Sequence, residues 1–89
     1  MNSRQKRTIA AVFTEPTPAS IAWSDIESLF RSLGATITEA NGSRVRIAFG
    51  ENRAVFHRPH PSPATDRGAV RSVRRLLTEA GFTPEEDES

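Results

Sequence analysis

The chain contains no cysteine among its 89 residues. This absence excludes disulfide bonds, thiol catalysis and thiolate metal sites together, and it fits a reducing compartment. Long apolar runs are also absent, because no stretch approaches the roughly 20 residues that a membrane span needs. The basic N-terminus is not followed by the apolar region of a secretory signal. We therefore expect a cytoplasmic protein that does not enter a membrane.

The chain is also too small for a large enclosed site. Apolar residues make up 36% of it, and a domain of this size buries only about 60% of its unfolded surface. Binding or chemistry must therefore take place on an open face. We predict a single domain over residues 1–89. Within it we expect an N-terminal helix and connector (1–19), a core (20–83) and an acidic tail (84–89).

The net charge is only +1, but the charges are segregated along the chain. Residues 44–75 carry eight arginines and two acidic residues, whereas residues 85–88 are all acidic. Guanidinium groups are well suited to bidentate contact with phosphate. The sequence therefore predicts a basic body that binds nucleic acid. The candidate binding residues are Ser43, Arg44, Arg46, Arg53, Arg58, Arg67, Arg71, Arg74 and Arg75.

Apolar periodicity and turn signals predict six elements in the order helix, helix, three strands, helix. The predicted helices occupy 3–14 with Ser3 as N-cap, 24–33 with Ser24 and Glu27 as a capping box, and the segment from Thr65 or Asp66 to Gly81. The predicted strands occupy 35–40, 44–49 and 53–57. Asn41-Gly42 is a strong hairpin signal, so the strands form an antiparallel meander. The alternating prolines of 58–66 predict an irregular extended segment.

The central strand has two different faces. Arg44 and Arg46 alternate with Val45, Ile47 and Phe49, so one face can enter a core while the other presents charge. The last helix separates apolar residues from arginines in the same way. We therefore predict an α+β fold with the helices on one face of the sheet and the other face open to solvent. We expect the arginines of sheet and helix to converge on one surface, and Trp23 to lie in the core.

The order and spacing of several short motifs resemble the HicA family of toxin–antitoxin ribonucleases. In that family a helix ending in glycine leads to a strand, a Gly-Ser-His turn opens the next strand, and a Gly-x-x-Arg-Ser-hydrophobic helix ends in Ala-Gly. The matching segments here are 23–34, 41–43 and 68–81, within a resemblance that covers about residues 20–83. The resemblance implies a fold similar to double-stranded RNA-binding domains, cleavage of mRNA without a metal or other cofactor, and a cognate antitoxin partner.

Arg44 stands where the family places its catalytic histidine. Arginine stays protonated in water and cannot act as a general base. His57 and His60 are the only histidines of the chain, and imidazole exchanges protons readily near neutral pH. We therefore take both as candidate catalytic residues, with Arg44 and Arg58 stabilising the charge of the phosphorane. Two histidines without a nearby carboxylate or cysteine are too few ligands for zinc, and structural surface roles for both are the alternative.

Three functions are consistent with these residues. The first is a HicA-like toxin that binds mRNA and cleaves it as an endoribonuclease. The second is a nucleic-acid-binding module that kept the fold but lost the catalytic histidine. The third is a protein-interaction module whose basic face meets an acidic partner, such as an antitoxin. The oligomeric state stays open in all three.

Overall fold

A computed structural model describes residues 1–59 and 62–84 of the chain. The elements are α1 (Ser3–Val12), α2 (Trp23–Ser32), β1 (Thr36–Glu39), β2 (Arg44–Phe49), β3 (Asn52–His57) and α3 (Arg67–Glu79). The predicted element order and the α+β class are confirmed, while the likeness to double-stranded RNA-binding domains stays a prediction. Among the described residues, no helix has the length and apolar character needed to cross a bilayer.

The sheet is an antiparallel meander with the strand order β1-β2-β3. Gly42 and Gly50 have φ values of 65° and 62° at its two turns, a conformation that glycine adopts without steric cost. In the central strand, Val45 and Ile47 are fully buried, whereas Arg46 between them is exposed. The predicted alternation of a core face and a solvent face is therefore confirmed.

The buried side chains form one cluster that joins the helices to a single face of the sheet. From the helices it includes Val12, Ile26, Leu29, Phe30, Val70, Val73 and Leu77, and from the sheet Val45, Ile47, Phe49 and Phe56. Trp23 belongs to this cluster, as predicted, and its ring centroid lies 5.3 Å from that of Phe56. With the three helices of the described residues on one side, the opposite face of the sheet is left to solvent.

The predicted N-cap of α1 is wrong, whereas the predicted N-cap of α3 is confirmed. The side chain of Asn2 accepts from the amide of Gln5, and the side chain of Gln5 accepts from the amide of Asn2, which together form a capping box. Ser3 is therefore the first helical residue rather than the N-cap, because the Asn2–Gln5 spacing already satisfies both amides. At α3, Asp66 caps the helix by accepting from the amide of Ala69 at 2.8 Å.

The predicted capping box of Ser24 and Glu27 is wrong. Helix α2 begins at Trp23, so its N-cap is Ala22, two residues before Ser24, and Ala22 makes no side-chain hydrogen bond. Ser24 consequently lies inside the first turn. The carboxylate of Glu27 binds the indole N–H of Trp23 and the guanidinium of Arg58 instead of returning to the backbone.

The segment between β3 and α3 supplies the missing cap of α2. The amide of Trp23 donates to the carbonyl of Pro63 at 2.9 Å, and the amide of Thr65 donates to the carbonyl of Ile21 at 2.8 Å. The described part of this proline-rich segment, residues 62–66, forms no helix or strand beyond an isolated bridge. The prediction of an irregular segment is therefore confirmed there, and the bridge fixes where α3 begins relative to α2.

Shortening one central core side chain tests the two-faced sheet. We expect Ile47→Ala to lower the free energy of unfolding by about 3 kcal/mol, because it opens a cavity in the fully buried centre of β2. The neighbouring substitution Arg46→Ala, on the exposed side of the same strand, should change it by less than about 0.5 kcal/mol. Urea unfolding monitored by Trp23 fluorescence gives both values, and equal losses would contradict the assigned faces.

Candidate nucleic-acid interface

The face of the sheet that carries no helix is basic, and we call it the open sheet face. Its side chains are Thr36 and Thr38 of β1, Arg44, Arg46 and Ala48 of β2, and Arg53, Val55 and His57 of β3. The strands contain one acidic residue, Glu39. The alternation of side chains along β1 assigns it to the opposite face of the sheet, and it binds Arg58. The open sheet face therefore gathers three guanidinium groups and an imidazole with no carboxylate from the strands among them.

His57 lies directly across from Arg44 in the pairing of β2 with β3. The amide of Arg58 donates to the carbonyl of Ser43 at 2.9 Å. That bond makes Arg44 and His57 a non-hydrogen-bonded pair, the type whose side chains stand closest together. An exposed imidazole and an exposed guanidinium thus share one end of the open sheet face. Arg46 follows two residues further along the same face.

Arg58 immediately follows β3 and turns inward. Its Nε donates to Glu27 Oε2 at 2.8 Å, and its Nη1 donates to Glu39 Oε1 at 2.7 Å. Glu27 is only 7% exposed and also accepts from the indole N–H of Trp23 and from Arg31 Nη2. We call this group the Glu27 clamp. It ties the end of β3 to α2 and β1, so Arg58 holds the strand that carries the histidine.

The clamp also sets the ionisation of its buried carboxylate. Burial raises the pKa of Glu27, but the hydrogen bonds from Arg58 and Trp23 and the positive charges of Arg58 and Arg31 outweigh that effect. The pKa of Glu27 in the folded chain is therefore below its usual value. A carboxylate with a lowered folded-state pKa stabilises the fold at neutral pH, and this contribution is lost as the pH falls through the folded-state pKa.

The arginines of α3 do not all join the open sheet face. The Nε of Arg67 donates to the carbonyl of Thr17 at 3.0 Å, and the Nε of Arg74 donates to the carbonyl of Val12 at 3.0 Å. Arg74 also forms an ion pair with Glu15. These bonds hold the connector between α1 and α2 against α3. The expected convergence of all sheet and helix arginines is therefore not met.

The remaining predicted residues occupy different places. Ser43 is exposed in the turn before β2, and Arg71 and Arg75 are exposed along α3. Within the described residues, neither of these two arginines forms an ion pair or a side-chain hydrogen bond. His60 lies outside the described residues. The predicted residues that the structure brings together on one surface are Arg44, Arg46, Arg53 and His57.

A groove of about 590 Å³ beside His57 was missed by reasoning from the sequence. It lies between β3 and the first turns of α3, and we call it the β3–α3 groove. Its lining includes Val55, His57, Thr65, Asp66 and Ser72. No single segment indicates it, because its walls come from a strand, a loop and a helix. The sequence contained only one indirect signal, the aliphatic Val55 at a position that alternation assigns to solvent.

Residues 23–82 match the family model described as the HicA toxin of bacterial toxin–antitoxin systems. The match runs from the first residue of α2 to just beyond α3 and covers 60 of the 89 residues. It includes the open sheet face, the Glu27 clamp and the β3–α3 groove, whereas α1 lies outside it. No curated protein and no solved structure matches the chain.

The charge of the clamp is tested by Glu27→Gln, which keeps the shape of the side chain. We expect it to lower the free energy of unfolding at pH 7 by about 1–2 kcal/mol, since it weakens a charged hydrogen-bond network whose Arg58 side chain is 30% exposed. Below about pH 4.3, the usual glutamate pKa, the unfolded chain takes up the proton first. The difference between the two proteins should therefore shrink as the pH falls further.

Urea unfolding at pH 7 and at successively lower pH measures this difference. Glu51→Gln is the matched control, because Glu51 is exposed in the β2–β3 turn and forms no ion pair with a described residue. If Glu27→Gln lowers the free energy of unfolding by the same amount at every pH, packing rather than charge accounts for the effect.

Proposed function

The chain belongs to the HicA toxin family, and on this premise we propose that it is an endoribonuclease that binds and cleaves mRNA on the open sheet face. Membership makes it a toxin of a toxin–antitoxin system, with a cognate antitoxin as its partner. The observation that carries the proposed chemistry is the position of His57, directly across from Arg44. The imidazole that the family motif places after Gly-Ser is supplied here by the adjacent strand, at the same end of the same face.

The proposed reaction uses the ribose 2′-hydroxyl as the nucleophile. Neutral His57 accepts its proton while the 2′-oxygen forms a bond to phosphorus. Arg44 stabilises the additional negative charge of the phosphorane. The bond from phosphorus to the 5′-oxygen then breaks, and that oxygen takes a proton from protonated His57 or from His60. The products are a 2′,3′-cyclic phosphate and a 5′-hydroxyl.

The arginines of the open sheet face supply the binding. Arg44 and Arg46 are two residues apart on one strand, so their α-carbons are separated by about 6.6–6.8 Å along it. Arg53 extends the charge across β3. Side chains at this spacing reach successive phosphates of a single strand, and phosphate contact gives affinity without regard to base sequence.

Cleavage of labelled RNA in the presence of chelator tests the catalytic role. We expect His57→Ala to lower the cleavage rate by at least about a hundredfold, the usual cost of losing a general base. His60→Ala reports whether the second histidine takes part. Thr38→Ala is the control, because Thr38 shares the open sheet face but has no group that can act as the base.

Two results would refute this mechanism. One is full activity in His57→Ala with its fold preserved by circular dichroism. The other is cleavage of a substrate with 2′-deoxyribose on the 5′ side of the scissile phosphate, since that substrate has no nucleophile. Product termini identified by mass spectrometry provide an independent check.

The dependence of RNA affinity on salt tests which arginines contact phosphate. We expect Arg46→Gln to reduce the slope of log affinity against log salt by about 0.7–1, the value for one phosphate contact. Arg71→Gln removes another exposed arginine, on α3, and should leave the slope unchanged. If Arg71→Gln reduces the slope more than Arg46→Gln does, the phosphate contacts are on α3 rather than on the open sheet face.

Arg44 itself favours a second candidate, a nucleic-acid-binding module that has lost cleavage. In that case native protein binds RNA with a steep salt dependence but leaves it intact. Arg44→His places the imidazole in the family's own position. Cleavage that appears only in this variant would identify the native chain as a binding protein.

A further inference from the structure

We propose that the β3–α3 groove binds one nucleobase of the RNA strand, next to the phosphate at His57, and that it prefers bases with an exocyclic amino group. This inference rests on the proposed function and specifies its substrate. The groove and the open sheet face meet at β3, because Val55 and His57 belong to both. A nucleotide whose phosphate lies against His57 therefore has its base within reach of the groove. Its volume of about 590 Å³ is typical of small-ligand sites.

The groove presents polar groups that the fold leaves unsatisfied. Thr65 is 1% exposed, and its hydroxyl has no hydrogen-bond partner among the described residues. A buried hydroxyl without a partner is costly and calls for an explanation. Ser72 adds a second hydroxyl one helical turn into α3. Asp66 uses Oδ1 to cap the helix, while no described residue donates to its Oδ2. A base edge that enters the groove can hydrogen-bond to Ser72 and Asp66.

The outer edge of β3 adds backbone groups to the same wall. Because Arg44 and His57 are a non-hydrogen-bonded pair, the amide and carbonyl of His57 point away from β2. Val55 pairs with Arg46 two residues along the strand, so its amide and carbonyl also point away from β2. Within the described residues these outward groups have no partner. A donor and an acceptor side by side match the Watson–Crick edge of an unpaired base.

The remaining walls suit the flat faces of a base. Val55 is 54% exposed, although it is apolar and lies on a strand. Across the groove, Gly68 and Ala69 present little or no side chain, so a planar ring can approach the helix closely. An exposed aliphatic side chain that the core does not use is explained if it covers one face of a bound base.

The charge of Asp66 selects the ligand. A carboxylate on the groove repels a phosphate but accepts hydrogen bonds from an exocyclic amino group, as acidic side chains do from cytosine N4. Adenine, cytosine and guanine carry such a group and uracil does not. We therefore expect cleavage beside amino-bearing bases to exceed cleavage beside uracil by about tenfold, within the range of discrimination that one well-placed pair provides.

Three variants separate this subsite from structural effects. Asp66→Asn keeps the helix cap, because asparagine caps as well as aspartate, but removes the charge. Val55→Thr keeps the branched shape and strand preference while replacing the apolar surface with a hydroxyl. Gly68→Leu fills the groove. A Cβ at Gly68 would meet only Asp66 Oδ1, at 4.0 Å, and leucine is a better helix former than glycine, so this variant should fold.

The experiment titrates adenosine, cytidine, guanosine and uridine into isotope-labelled full-length chain and follows backbone amide shifts. Free nucleosides carry no phosphate, so binding by arginine alone does not contribute. We expect saturable shifts at Val55, Thr65, Ala69 and Ser72 with the three amino-bearing nucleosides, and about tenfold weaker binding of uridine. Gly68→Leu should abolish the shifts, Val55→Thr should weaken binding about threefold, and Asp66→Asn should remove the preference over uridine. Cleavage of a randomised RNA should lose the same preference in Asp66→Asn.

The outcomes distinguish this inference from the proposed function. Groove shifts without cleavage by native protein support the subsite and count against the endoribonuclease. Cleavage without groove shifts, or with a base preference that Asp66→Asn and Gly68→Leu leave unchanged, overturns the subsite and leaves the endoribonuclease standing. Groove shifts caused by an antitoxin peptide but by no nucleoside would assign the groove to a protein partner and also overturn the inference.

Discussion

The placement of the open sheet face depends on one buried carboxylate. Glu27, on α2, accepts hydrogen bonds from its own helix through Trp23 and from the end of β3 through Arg58. The same guanidinium reaches Glu39 on β1. Two edge strands and a helix are therefore joined at a single point, while the backbone of Arg58 closes the ladder next to His57. In so small a domain, where little apolar surface is available, such a network fixes geometry that packing alone leaves loose.

Six arginines of this chain fall into two groups with different physical roles. Arg44, Arg46 and Arg53 lie on the open sheet face, have no carboxylate from the strands beside them, and give that surface its charge. Arg58, Arg67 and Arg74 are bound to backbone carbonyls or carboxylates, and they hold segments in place. A guanidinium group serves either purpose because it presents five donors in a rigid plane. Counting arginines thus overstates the binding surface, and only their partners separate the two groups.

Local patterns predicted the local features well. Alternation in β2, the glycine turns and the Asp66 cap all depend on residues within a few positions of one another. The wrong Ser3 cap is a local error, since Asn2 and Gln5 form the capping box instead. The other errors involve partners far apart in sequence. Glu27 has the spacing of a capping box with Ser24, but Arg58, 31 residues later, binds its carboxylate. The β3–α3 groove likewise forms only when a helix packs beside an edge strand, so the periodicity of a single segment does not predict it.

The pairing of Arg44 with His57 has a consequence for how relatives of this chain are sorted. Two strand positions thirteen residues apart in sequence occupy neighbouring points in space. If His57 is the general base that we propose, arginine in place of the family's histidine at one position is offset by a histidine at a second position close to it in space. Sorting members of the family into active and inactive by that single column would then discard chains of this kind. A criterion based on adjacent strand positions, which asks whether either one carries an imidazole, would retain such chains.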